Sequence, residues 1–216
     1  MISYCVTVYN ETKEIIKLIT LLNGAKKDND ELVIIQTYRD ESEKETDNYK
    51  LIEEICQRYS NKYSTFHFKN NFAELKNYMT SQASQPYIFN FDADEEMRFD
   101  AIQALRKEIA SNDIDLYYLP RINIVDGLTE EDIKKWSWKI NEKGWINWPD
   151  YQPRIYKNNN LIHWSGFVHE HLEGFKSSAA ISDDGRVAIL HRKHINKQRS
   201  QNSFYKNMAK NNVHEY

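Results

Sequence analysis

The residues best suited to chemistry are the carboxylates that close an apolar run. Tyr87-Ile88-Phe89-Asn90-Phe91 leads directly into Asp92-Ala93-Asp94-Glu95-Glu96. The run predicts a buried strand, and its end lifts an Asp-x-Asp pair to an exposed tip, where residues two apart on a strand point the same way. Hard oxygen donors of this kind suit Mn²⁺ or Mg²⁺, ions that combine a few carboxylates with phosphate oxygens of a substrate. A cation seated on a diphosphate offsets the charge that builds on a departing nucleotide. The plainer alternative is a solvated acidic turn capping a helix that begins near Phe99.

Further along, Glu170 stands between His169 and His171 after an apolar stretch, so it is a candidate general base; Asp150, following Trp148-Pro149, is its rival. His191 follows another apolar run. It reads either as an ordinary hydrogen-bonded histidine or as a further metal ligand, with His194 as the alternative; an imidazole beside carboxylates favours Mn²⁺. Trp136, Trp138, Trp145 and Trp148 read as a small satellite core or as a platform for sugar faces. Lys197, Arg199, Lys206 and Lys210 in the polar tail read as a solvated face, or as cations that meet a diphosphate, an anionic membrane surface or a further domain.

The elements that must position these groups alternate along the first half. Ser3 to Tyr9, Leu32 to Ile35, Thr65 to Phe68, Tyr87 to Phe91 and Leu116 to Leu119 read as strands. Between them, Ile15/Leu18/Ile19/Leu22, Ile52/Ile55/Cys56/Tyr59, Phe72/Leu75/Met79 and Ile102/Leu105/Ile109 carry helical spacing. Such alternation implies an α/β fold with a mostly parallel sheet covered on both faces, and ligands at the carboxyl ends of its strands. Tyr9-Asn10-Glu11 and Asp92-Ala93-Asp94 sit at two such ends. The expected division is a half over residues 1–112 that carries those strand ends and a smaller, mixed half with the basic tail over 113–216. In the latter, Gln152–Tyr156 and Leu161–Val168 read as a hairpin turning at Asn158-Asn159-Asn160, Asp183-Asp184-Gly185 as a turn, and Val187–Leu190 as a strand.

Bulk properties narrow the class. The 216 residues suffice for one α/β domain, and a net charge of −3 supplies no global basic field for nucleic acid. Cys5 and Cys56 read as core residues in a reducing compartment, Met1 leads straight into a strand, and no apolar run nears the roughly 20 residues of a membrane span. A cytoplasmic location, or a peripheral one at the inner face of a membrane, is expected. P-loop and dinucleotide fingerprints and zinc spacings are missing. Asp-x-Asp lies on the fourth strand with Glu96 two residues on, which argues against an aspartyl phosphatase; none of the chain's six glycines falls in the loop directly after the first strand, which argues against a pyrophosphorylase loop.

Taken in order, several segments resemble family-2 glycosyltransferases. They are Val6-Thr7-Val8-Tyr9-Asn10-Glu11, Asn71-Phe72-Ala73-Glu74-Leu75-Lys76-Asn77, Phe91-Asp92-Ala93-Asp94-Glu95, Gln152-Pro153-Arg154-Ile155-Tyr156, Val168-His169-Glu170 and Ile189-Leu190-His191. The last three are similar to the bacterial lipopolysaccharide-type branch. The resemblance spans roughly residues 2 to 195. It implies a GT-A (Rossmann-like) fold, a nucleoside-diphosphate sugar donor, a glycan, lipid-linked or protein acceptor, and transfer with inversion. It further implies that Thr7, Tyr9 and Glu11 line the base and ribose pocket and that Lys76 approaches the nucleotide. Asp92 would bond ribose or a metal-bound water, Asp94 would ligate the metal, Glu170 would be the base, and His191 a further ligand. The family's Asp-rich turn after the second strand is replaced by Gln36-Thr37-Tyr38-Arg39-Asp40-Glu41, where Asp40 is the displaced counterpart. A catalytically inert carbohydrate-binding domain of the same shape is the alternative reading.

Overall fold

A computed structural model describes residues 1–167 and 170–212, with side chains as far as Lys206. Val168 and His169, part of one quoted motif, and the side chain of Lys210 lie outside the described residues. Among the described residues, nine strands form one mixed sheet. Strands β1 (Ile2–Val8), β2 (Glu31–Tyr38), β3 (Lys62–His67) and β4 (Tyr87–Asp92) run parallel in the order β3-β2-β1-β4. Beyond β4 the sheet continues through β7 (Ile146–Lys157), β6 (Leu116–Asp126), β11 (Ile189–His194) and the short β5 (Glu95–Met97), while β10 (Ser178–Ala180) adds to β6. Residues on both sides of position 112 therefore share one sheet.

Alternation in β2 shows why this sheet needs cover on both faces. Leu32 and Ile34 belong to a core cluster with Ile15, Leu18, Leu22, Ile52, Ile102 and Leu105. Those residues come from α1 (Thr12–Ala25), α2 (Asp47–Tyr59) and α4 (Phe99–Ser111). Val33 and Ile35 point the other way, into a second cluster with Ala73, Leu75 and Met79 of α3 (Phe72–Gln82) and with Ile162, Trp164 and Leu172. Each fully buried aliphatic side chain contributes about 1.5–3 kcal/mol. Local caps set the helix starts: the Glu74 N–H donates to Asn71 Oδ1 at 3.0 Å before α3, and Thr129 and Asp132 form a capping box for α5 (Glu130–Trp136). The last described element is α6 (Ile195–Asn212), directly after β11.

The second half departs from expectation in its pairing. Gln152–Tyr156 lies within the long β7, which is hydrogen-bonded to β4 on one side and β6 on the other. With both edges used, β7 has none left for residues 161–168. Instead, β8 (His163–Ser165) pairs with β9 (His171–Glu173) in a separate two-stranded sheet. The expected turn is present, with Gly185 at φ +81°, a conformation glycine adopts without penalty. Cys5 and Cys56 are free and buried, and burial pushes the Cys56 thiol up to about 12. No helix among the described residues is long and apolar enough to cross a membrane.

Candidate active site

A cavity of about 650 Å³ opens at the carboxyl ends of β1 and β4. Its wall includes Thr7, Tyr9, Glu11, Lys76, Asp92, Asp94, Asp150, Glu170 and His191, so residues far apart in sequence converge on one crevice. The register between β1 and β4 sets Thr7 beside Asp92, with the Thr7 hydroxyl 3.5 Å from Asp92 Oδ1.

Asp92 and Asp94 face different partners. The strand ends at Asp92, and Ala93-Asp94 form a turn before β5, so the side-chain alternation of a continuous strand is lost. Arg154, 2% exposed, donates to Asp92 Oδ2 at 2.9 Å and to Glu95 Oε1 at 2.5 Å. Burial alone would raise the Asp92 pKa, but Arg154, followed by Lys76, outweighs it and holds the carboxyl down at about 2. Asp94 faces elsewhere: its Oδ2 lies 3.3 Å from His191 Nε2 and 3.0 Å from Lys197 Nζ. Burial opposes ionisation there too, yet His191 and Lys197 keep the carboxyl well below the usual range.

His191 is oriented by a relay. Asp150 Oδ2 accepts from Asn123 Nδ2 at 2.8 Å, which turns Asn123 Oδ1 toward His191 Nδ1 at 3.1 Å. An oxygen at that position calls for a proton on Nδ1, and the neutral ring then presents the Nε2 lone pair to the Asp94 carboxylate. Two electron-pair donors facing one another at 3.3 Å call for a cation between them or a proton on Nε2. This donor set fits Mn²⁺ or Mg²⁺ arriving with a diphosphate, because such ions take few protein ligands and complete their shell with phosphate oxygens and water. The three-ligand set expected with Asp92 is not assembled: among the described residues no group of three or more His, Cys, Asp or Glu gathers to hold a metal, since Asp92 is committed to Arg154.

The candidate bases differ in their surroundings. Asp150 accepts from Arg121 at 2.7 and 2.9 Å, from Asn123, and from Gln152 at 2.9 Å. Although burial raises its pKa, Arg121 and these donors hold the net value low, making it a weak base. Glu170 accepts from Lys76 Nζ at 2.5 Å, and the same ammonium lies 4.2 Å from the Trp164 ring. Lys76 thus meets Glu170 across the cavity.

After β1, Glu11 accepts from the Tyr9 and Asn10 backbone N–H groups at 3.0 and 3.1 Å, which shapes the turn there. The Arg39 guanidinium lies 4.8 Å from the Tyr9 ring and 4.2 Å from the Phe204 ring. Asp40 is not on this wall. It is exposed and accepts from Ser42 N at 2.8 Å as the cap of a 3₁₀ turn, because the chain has already passed the cavity at Thr37 and Arg39.

Sequence reading left Arg121, Asn123 and Lys193 without a role, and quoted Glu95 and Arg154 only as parts of motifs. A charged residue within the β-rich run Gln152–Tyr156 is the signal for a buried ion pair that could have found Arg154. The tail differs most. Lys197 reaches Asp94 on the cavity wall at 3.0 Å, and Arg199 donates to Asp132 at 2.8 Å, tying α6 to the α5 cap. Trp136 and Trp138 pack at 4.6 Å beside a small cluster of Val125, Ile146 and Ile195, in keeping with a satellite core, although Trp138 also reaches the cavity wall.

Residues 3–182 match the family model described as glycosyl transferase family 2, and the chain belongs to that family. Among solved structures it is similar to S. aureus TarS, with 15% identity, a TM-score of 0.58, and coverage of 88% of this chain and 36% of that one. It is also similar to S. aureus TarS 1-349 in complex with UDP-GlcNAc, at 17% identity and a TM-score of 0.57, covering 89% of this chain and 58% of that one. The complex of TarS 1-349 with UDP gives 15% identity and a TM-score of 0.59, covering 88% and 60%. These likenesses establish the GT-A fold, and the chain spans less than two thirds of each of those proteins. No curated protein matches.

Proposed function

We propose that the chain transfers a sugar from a nucleoside-diphosphate sugar to an acceptor hydroxyl, with inversion at the anomeric carbon, in the synthesis of a glycan or cell-envelope polysaccharide on the cytoplasmic side of a membrane. The observation that carries this reading is the facing of Asp94 and His191 at 3.3 Å at the end of β4, within the cavity that also holds Glu170. Family membership supports the donor class. The UDP-GlcNAc and UDP complexes of TarS make a UDP-sugar the first donor to test.

In this reading Tyr9, Arg39 and Phe204 receive the base, and Thr7 and Asp92 the ribose side. Asp94 and His191 hold Mn²⁺ or Mg²⁺, which supplies charge compensation for the leaving diphosphate. Glu170 takes the proton of the acceptor hydroxyl as that oxygen forms its bond to the anomeric carbon and the nucleotide departs. Lys76 holds Glu170 in place by their ion pair until the acceptor arrives, and Asp150 serves as the anchor of Arg121 and Asn123. No covalent intermediate is needed. Residues 1–112 carry most of the donor contacts and 113–216 the acceptor side, with the tryptophans near Trp138 offered to a glycan.

Nucleotide release from UDP-, GDP-, CMP- and dTDP-sugars, measured with Mn²⁺ and a broad panel of glycan acceptors, tests the reading. Release from at least one donor supports it. Sugar binding that ignores both metal and nucleotide would instead favour an inert carbohydrate-binding domain.

A further inference from the structure

The first turn of α6 brings an ammonium to the place where the donor's charge would be met. Lys197 Nζ lies 3.0 Å from Asp94 Oδ2 and 3.4 Å from Glu11 Oε1. His191 Nε2 approaches the same Asp94 oxygen. Ion and ammonium would therefore compete for one oxygen atom. Seven residues further on, about 10 Å along a helix, Phe204 covers Arg39, and Tyr205 packs against Phe72 at 6.0 Å. Gln198, Gln201 and Asn202 line the cavity between them. One helix thus runs from the carboxylate end of the crevice to its aromatic end.

We propose that Lys197 is a diphosphate-binding residue delivered by α6. Its ammonium neutralises Asp94 and Glu11 before the donor binds, then yields Asp94 to the metal and moves onto a phosphate oxygen. The inference rests on the nucleotide-sugar reading above. The chemistry is an exchange of ion pairs: three negative groups, two carboxylates and a diphosphate, share one divalent ion and one ammonium, and no bond is made or broken. A long, flexible lysine stem suits such a shift because the ammonium acts as a point charge free of the fixed fork of arginine.

The exchange predicts opposite effects on two binding steps, which a merely structural lysine would not produce. Lys197→Met keeps the aliphatic stem and Lys197→Gln keeps a polar end; thermal melts identify whichever remains folded like the parent. Mn²⁺ binding to the nucleotide-free protein, read by electron paramagnetic resonance, should tighten by roughly 3-fold or more once the competing ammonium is gone. UDP binding in saturating Mn²⁺, read by calorimetry, should weaken by about 10-fold, the scale of one charge-assisted hydrogen bond. Both shifts together support the exchange. If UDP binds parent and variants equally, or Mn²⁺ binding is unchanged or weaker, the inference fails while the nucleotide-sugar reading stands. If the parent itself binds no nucleoside diphosphate, both fail.

Discussion

The Arg154 guanidinium lies 2.9 Å from Asp92 Oδ2 and reaches Glu95 through the same nitrogen, so a buried cation fixes the end of β4. Its removal would strip Asp92 of this cation and leave the buried Glu95 only the longer contact to Arg121 at 3.5 Å, and breaking a buried pair costs about 3–5 kcal/mol. Arg154→Met should therefore lower the urea midpoint sharply. Adding Glu95→Gln should restore part of the loss, since the most buried orphaned charge is then gone. Equal midpoints for parent and Arg154→Met would contradict the ion-pair account.

Asp94 has a different task from its neighbour, and its loss should spare the fold. Asp94→Asn keeps the shape but removes the charge facing His191 and Lys197. Turnover should fall on the order of 100-fold or more, with the thermal midpoint near that of the parent. Sugar transfer at parental rates would remove Asp94 from the mechanism.

For the acceptor side, Glu170→Gln should lower kcat by about 100- to 10,000-fold, the range of a lost general base, while UDP affinity changes little. Asp150→Asn should act chiefly through Arg121 and Asn123, and so should alter metal affinity along with rate. A pre-steady-state comparison of the two separates these roles. Normal kcat in Glu170→Gln alongside a collapsed kcat in Asp150→Asn would exchange the assignments.

Asn123 links Asp150 to His191, with contacts of 2.8 and 3.1 Å. Outer-sphere partners of a ligating histidine typically carry 10- to 100-fold in metal affinity. Asn123→Leu should weaken Mn²⁺ binding by about that factor with the fold intact. Unaltered Mn²⁺ affinity would mean that the ring orientation is held by other means.

Much of the site is legible in sequence because it sits where regular elements end. The apolar alternation of β1 and β4 locates Thr7 and Asp92, and helical spacing after Asn71 locates Lys76. The remainder depends on long-range pairing. Whether Asp94 shares the direction of Asp92 is decided by the turn at Ala93, which the strand period of two does not foresee. That β7 lies between β4 and β6, and so brings Arg154 under Asp92, depends on sheet order rather than on any local pattern. Lys197 looks like one of several tail cations until α6 folds back over the cavity, and Asp40 looks like a strand-end acid until the 3₁₀ turn claims it.

The most direct measurement is a crystal structure grown with UDP and Mn²⁺, using the anomalous signal of manganese to locate the ion. The account predicts a peak between Asp94 and His191, bridged to the diphosphate, with the base beside Tyr9 and Arg39. Diphosphate and manganese bound away from the end of β4, with the Asp94–His191 contact unchanged, would contradict it.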